Sequence, residues 1–177
     1  MPLLPVLVGG ALVLVALAFV ILYFVGQSTG TKKVGYVQCN PGEQLQTHYH
    51  AHLTIIQDGQ ERSLPPQIGI TGTCLYWLHT HDSSGIIHIE APADQKNHTF
   101  TLGDFFDVWG QPLDSTHVAT LMVGTDQTLV AYVDGSIYTG DPRSIPLKSH
   151  TQIVLEIQPP AVNPPPSYNW DANSYPK

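Results

Sequence analysis

The sequence predicts a mainly β protein: a single antiparallel β-sandwich or barrel-like domain with one short helix, preceded by one N-terminal transmembrane helix. Three observations carry that reading. Short runs of aromatic and β-branched residues, bounded by Gly, Pro and Asp, recur through residues 34–160. Two Asp-Gly pairs, Asp58-Gly59 and Asp134-Gly135, each lie between such runs, as the turn of a two-residue hairpin does. The first 26 residues are apolar almost throughout.

No Asp, Glu, Lys or Arg precedes Lys32. As a helix, residues 3–25 are long enough to cross a hydrocarbon core of about 30 Å, so residues 1–26 read as a membrane anchor. A cleaved signal peptide is the competing reading, but the basic start is missing, the apolar stretch is too long and no small-x-small cleavage site stands near Gly26. Lys32 and Lys33 follow the span and, by the positive-inside tendency, would place the remainder in the cytoplasm. The charge-poor, Pro-rich composition of that remainder and its two cysteines favour the other side. The expectation is a single-pass protein of the cell membrane with its soluble domain on the extracytoplasmic side.

Residues 27–33 read as a flexible linker whose lysine pair could touch lipid headgroups. Residues 34–160 are the extracytoplasmic His-rich β-domain, with room for one core. The Pro-rich residues 161–177 read as a disordered tail in which Tyr168, Trp170 and Tyr175 could dock onto a partner or the domain.

Within the domain, His48-Tyr49-His50-Ala51-His52 leads into Leu53-Thr54-Ile55-Ile56. Strand alternation puts His48, His50 and His52 on one face and Tyr49, Ala51, Leu53 and Ile55 on the other, which reads as core. A second run, residues 75–90, has the composition of a hairpin around the four-residue loop Asp82-Ser83-Ser84-Gly85. In that register His79 faces His88, His81 faces Ile86 and Trp77 faces Glu90, so that His79, His81 and His88 share a face. Opposed Cβ atoms lie about 5 Å apart, which lets two imidazoles reach one ion through bonds of about 2.0–2.1 Å. A one-residue slip of the loop breaks the pairing.

A lone histidine in a strand is ordinarily a surface or hydrogen-bonded core residue. Six of the nine histidines in two strand-like runs, three to a side, point instead to a metal site at His48, His50, His52, His79, His81 and His88, with Glu90 or Asp82 as possible oxygen ligands. Imidazole without thiolate or thioether suits zinc, copper(II), nickel or iron. Copper or zinc is the expected cofactor.

Cys39 and Cys74 stand just before the two His runs. Outside the cytoplasm such a pair forms a disulfide, which would contribute about 3–4 kcal/mol in the chain-entropy description and draw the two runs together. A free buried pair and a cysteine ligand to the metal are the alternatives. Each half of the domain carries an Asp-Gly hairpin, then a Pro-containing loop, then a strand (residues 86–92 and 153–159), an order that suggests a degenerate internal repeat or the reuse of common turn chemistry.

Thr101-Leu102-Gly103-Asp104 opens the one plausible helix, with Thr101 as cap and Asp104 completing an approximate capping box; Gly110 and Pro112 end it. Leu102, Phe105, Phe106 and Trp109 form an i, i+3, i+4, i+7 stripe that reads as core. His98, His117 and His150 are taken as surface or structural, and Asn97-His98-Thr99 fits the glycosylation pattern.

The strings His50-Ala51-His52-Leu53-Thr54, Tyr76-Trp77-Leu78-His79-Thr80-His81-Asp82, Gly85-Ile86-Ile87-His88-Ile89-Glu90, Leu102-Gly103-Asp104-Phe105-Phe106, Trp109-Gly110-Gln111-Pro112-Leu113 and Asp141-Pro142-Arg143-Ser144-Ile145-Pro146-Leu147 resemble a family of prokaryotic membrane-anchored or exported proteins. The resemblance covers roughly residues 48–158, and His-Thr-His-Asp followed by Ile-Ile-His-Ile-Glu is its distinctive part. It implies an anchored, exported protein and carries no particular activity with it.

Several functions are excluded by pattern. A cupin needs a Glu a few residues after its His-x-His, whereas the first Glu after His81 is Glu90. There is no Gly-x-Ser-x-Gly, phosphate loop or His-Glu-x-x-His. A net charge of −7 with seven basic residues argues against nucleic acid as a partner. Three readings stand: a membrane-tethered protein that holds copper or zinc for sequestration, delivery or electron transfer; a His-ligated metalloenzyme with an open coordination position; and a structural or interaction module of a membrane complex without metal.

Overall fold

The computed structural model describes Leu17 and residues 32–171. The chain divides into two units, Met1–Thr31 and Lys32–Lys177. The expected anchor and most of the expected linker thus lie outside the described residues, Leu17 apart. Among the described residues no helix is long and apolar enough to cross a membrane.

In chain order the second unit contains β1 (Lys33–Val34), β2 (Val37–Asn40), β3 (Thr47–Gln57), β4 (Gln60–Arg62), β5 (Leu75–Tyr76), β6 (Leu78–His79) and β7 (Ile86–Ala91). Helix α1 (Leu102–Trp109) follows, then β8 (His117–Val118), β9 (Leu121–Met122), β10 (Thr128–Val133), β11 (Ser136–Tyr138) and β12 (Gln152–Gln158). Lys33 already pairs with Gln38, so the ordered fold begins inside what reads as linker.

The main sheet runs β11-β10-β12-β3-β7-β6, with β4 also paired to β3; β1-β2-β5 and β8-β9 form two smaller sheets. The fold is mainly β with one α-helix among the described residues, as expected, but its main sheet is mixed. β12 lies parallel to β3, with Ile153 opposite Leu53 and Leu155 opposite Ile55, and this corrects the wholly antiparallel expectation. The physical reason lies in the burial of both strands. Ile153–Ile157 and His50–Ile56 are buried on both faces, which suits central strands able to pair parallel and removes the alternation that marks a half-exposed antiparallel strand.

One face of the sheet is the core. Ala51, Leu53 and Ile55 of β3, Ile87 and Ile89 of β7, Leu78 of β6 and Leu155 of β12 pack there against Phe100, Leu102, Phe105 and Phe106. Helix α1 starts where the sequence places it. The Thr101 hydroxyl accepts from Asp104 N while the Asp104 carboxylate accepts from Thr101 N at 2.8 Å, and Gly110 closes the helix in the left-handed region. Such a cap stabilises a helix by about 1 kcal/mol. Arg143 Nη2 donates to both carboxylate oxygens of Asp107, at 2.7 and 2.8 Å, tying the helix to the loop before β12.

Both Asp-Gly turns form, with φ of 56° and 70° at Asp58 and Gly59 and 50° and 79° at Asp134 and Gly135, the positive pair a type I′ hairpin requires. The likeness of the two halves ends at these turns. β4 and β7 share one edge of β3, opposite β12, whereas β11 and β12 flank β10 on opposite edges. Turn reuse accounts for the pattern.

Cys39 and Cys74 form a disulfide, with Cα atoms 5.4 Å apart, beside the pairing of β2 with β5. The described part of the Pro-rich segment differs from the expected disorder. It runs back along the face of the sheet opposite the core, where Gln152 Oε1 accepts from Tyr168 N at 2.8 Å and Glu156 Oε1 accepts from Val162 N. Trp170 is buried. These hydrogen bonds and the stacking of Tyr168 on His52 and of Trp170 on His150 hold the segment over the outward side chains of β12. Tyr175 lies outside the described residues.

Candidate metal centre

The face of β3, β7 and β6 that points away from the core carries the histidines. The register is the expected one at its centre: His79 is opposite His88, and His50 is opposite His88 on its other side. Since directly opposed residues share a face, His50, His88 and His79 form one row across three strands. His48 is opposite Glu90 in the next row.

The expected hairpin is altered at its tip. β5 leaves the main sheet to pair with β2, and only Leu78 and His79 form a ladder with β7. Trp77 O still accepts from Glu90 N at 2.8 Å. Beyond His79 the ladder stops, because Thr80 turns to the preceding loop: its N donates to Ile68 O and its Oγ1 accepts from Ile68 N. His81 is therefore not paired with Ile86 but lies in the loop. Its ring nevertheless stands 4.9 Å from that of His79 and 4.4 Å from that of His88, edge to face with both.

Two groups of possible ligand atoms result, each with all its atoms within 4.8 Å of one another: His79, His81, His88 and Glu90, and His48, His50 and His88. His79, His88, Glu90 and His50 are buried, while His81 and His48 are exposed. Two of the eight residues singled out from the sequence join neither group. His52 shares the face, but its Nε2 donates to Ser84 O at 2.9 Å and its ring stacks on Tyr168 at 4.1 Å, so it anchors the 82–85 loop and the returning C-terminal segment. Asp82 is exposed, and its Oδ1 accepts from Ser84 N at 2.9 Å as part of the turn. Gly85 is needed beside it: φ is +85°, and a Cβ would lie 2.4 Å from Leu53 O.

The hydrogen bonds fix the protons. His79 Nδ1 lies 2.9 Å from Tyr76 O, and a carbonyl can only accept, so Nδ1 carries the proton and Nε2 the lone pair. That Nε2 is buried without a hydrogen-bond partner, 3.9 Å from Glu90 Oε1; Glu90 Oε2 is buried without one as well. Glu90 Oε1 accepts from His88 Nδ1 at 3.3 Å and faces His48 Nε2 at 3.4 Å.

Burial pushes the His79 imidazole down to about 4, although the Tyr76 carbonyl and Glu90 act the other way. Burial also brings His50 to about 4, reinforced by the imidazoles of His88 and His48. For Glu90, burial acts to raise the pKa, but the His88 hydrogen bond and the His79 and His48 imidazoles together hold the carboxyl below its usual range. Near neutral pH His79 and His50 are therefore neutral imidazoles and Glu90 an ionised carboxylate, the forms that ligate a cation.

The chain matches no protein-family model, no curated protein and no solved structure. The site is thus read from its own geometry.

The remaining histidines belong to neither group of ligand atoms. His98 packs on Phe100 and Tyr36, His117 accompanies Thr116, and His150 stacks on Trp170 at 4.3 Å while its N donates to His50 O. Sequence reading missed Tyr76, whose carbonyl sets the His79 tautomer; a backbone acceptor leaves no mark on residue type. Of the two alternatives for Tyr168 and Trp170, a partner or the domain, both rings pack on the domain, Tyr168 on His52 and Trp170 on His150.

Proposed function

We propose that this is a membrane-tethered protein whose extracytoplasmic domain holds a transition metal ion, copper or zinc, for sequestration, delivery or electron transfer. The observation that carries the reading is His79. Its Nδ1 is committed to the Tyr76 carbonyl, and its buried Nε2 lone pair points without a partner toward Glu90, in a group with His81 and His88. Burying two such polar atoms unpaired costs about 1–3 kcal/mol each, a penalty that a bound cation removes. Three imidazoles and a carboxylate make a four-ligand set, which saturates a tetrahedral ion and favours holding over catalysis. A backbone acceptor on the far nitrogen of a metal-binding histidine is the usual orienting device.

The test is elemental analysis of the purified full chain in detergent, as isolated and after dialysis against zinc or copper. Retained metal that is lost in His79→Ala and kept in His117→Ala supports the reading. No retained metal in the folded protein overturns it and leaves an interaction module.

A second reading, a metalloenzyme, draws on the other group. His48, His50 and His88 are three imidazoles, and a four-coordinate ion held by them keeps a position open for water or dioxygen on the exposed His48 side.

A further inference from the structure

Resting on the metal-holding reading above, we propose that the centre takes two metal ions, one at each ligand group, with the His88 imidazole bridging them. His88 belongs to both groups. It is the middle residue of a three-strand row, directly opposite His50 on β3 and His79 on β6, with ring centroids 4.5 Å and 5.2 Å away. A second pair of imidazoles flanks it in the same sense: His81 at 4.4 Å on the β6 side and His48 at 6.3 Å on the β3 side. One ring therefore has donors on either side, and it carries two nitrogens, of which Nδ1 faces Glu90 at 3.3 Å.

The donor count points the same way. The two groups contain six residues, four in one and three in the other with His88 in both. A single tetrahedral ion uses four of these six donors. Two ions with a shared imidazole use all six, saturating one ion with His79, His81, His88 and Glu90. The other keeps His48, His50, His88 and one position open to solvent.

Binding exchanges a proton for a metal ion. His88 Nδ1 donates to Glu90 Oε1, so Nδ1 carries a proton before metal binds. Binding of both cations replaces that proton by a metal–nitrogen bond, the proton leaving to solvent, and the resulting imidazolate presents one lone pair to each ion. No electron is transferred.

The experiment uses the full chain in detergent micelles. Zinc stoichiometry is measured by titration calorimetry and elemental analysis, and copper(II) loading by electron paramagnetic resonance with the spin count compared with total copper. The proposal expects two zinc equivalents, and a copper spin count well below total copper, because two copper(II) ions joined by one imidazolate couple their spins. His48→Ala, at an exposed position, should weaken one equivalent by at least about tenfold and the other, which His48 reaches only through Glu90 Oε1 at 3.4 Å, by far less. In that variant loaded with a single copper, the spin count should return to the metal content. One equivalent, weakened alike by His48→Ala and His81→Ala, overturns the two-ion proposal while the metal-holding reading stands. Two equivalents with full spin count overturn the bridge. No equivalent in the folded protein removes both.

Discussion

Acidification should destabilise the metal-free protein well above the range in which carboxylates titrate. An unfolded chain gives His50 and His79 an ordinary imidazole pKa near 6.5, whereas in the fold each lies at about 4. The folded state favours the neutral ring, so the stability held in these two groups is complete above pH 6.5 and is lost as pH falls from there toward 4. Below 6.5 the unfolded chain binds the protons that the folded chain refuses. Between pH 7 and pH 5 this amounts to about 2 kcal/mol for each ring, or about 3–4 kcal/mol together. Domain stabilities are about 5–15 kcal/mol, so the change is large. His52, pushed down by burial, adds in the same direction, and Glu90, held below its usual range, adds a further loss below about pH 4.5. The assay is urea unfolding with chelator present, at pH 7 and pH 5, checking that the denaturant slope is constant. His79→Leu should lose about half the pH dependence. Equal midpoints at the two pH values for the wild-type chain would refute the claim that these rings are held neutral by burial.

Other consequences are as direct. Saturating zinc at a hundredfold excess over its dissociation constant should stabilise the domain by about 2.7 kcal/mol, a gain that chelator reverses and His79→Ala abolishes, measured as a shift in thermal midpoint. Replacing both Cys39 and Cys74 by Ser opens a loop with a sequence separation of 35 residues and should cost about 4 kcal/mol in denaturant unfolding. Gly85→Ala places a methyl 2.4 Å from Leu53 O at a φ of +85°, so a loss of about 2 kcal/mol or more is expected, together with release of the Ser84 carbonyl from His52. A loss under about 0.5 kcal/mol would show that the loop is free to shift.

Much of the centre was legible because period-2 alternation is a local rule. His48 and His50 share a face with Tyr49 and Ala51 opposite, and the His79/His88 register followed from loop length. The capping box at Thr101 and the two Asp-Gly turns were legible for the same reason, since their chemistry is complete within four residues. What escaped depends on partners far along the chain. Thr80 leaves the ladder to meet Ile68, which takes His81 out of the hairpin without taking it from the cluster. His52 has the same spacing as its neighbours but is claimed by Ser84 and Tyr168, one of them more than a hundred residues away. The parallel pairing of β12 with β3 carries no sign in either strand beyond the short apolar runs Ile153-Val154-Leu155 and Ile55-Ile56, which two antiparallel neighbours would equally produce.

The position of β12 has a consequence for the order in which the molecule is made. It lies in the middle of the main sheet, between β10 and β3, yet it is the last strand of the domain in sequence. While synthesis proceeds from the N-terminus, β3, β6 and β7 can pair among themselves, and β10 can pair with β11, but the two pieces have no shared edge until residue 158 has emerged. All six donors of the centre lie on the earlier piece, between residues 48 and 90. A nascent chain can thus gather its imidazoles, with the Cys39–Cys74 crosslink formed by a passing oxidant, while the edge of β3 still waits for its neighbour. That waiting edge is the period of greatest exposure to misassociation, and an ion captured early would hold the first piece together through it.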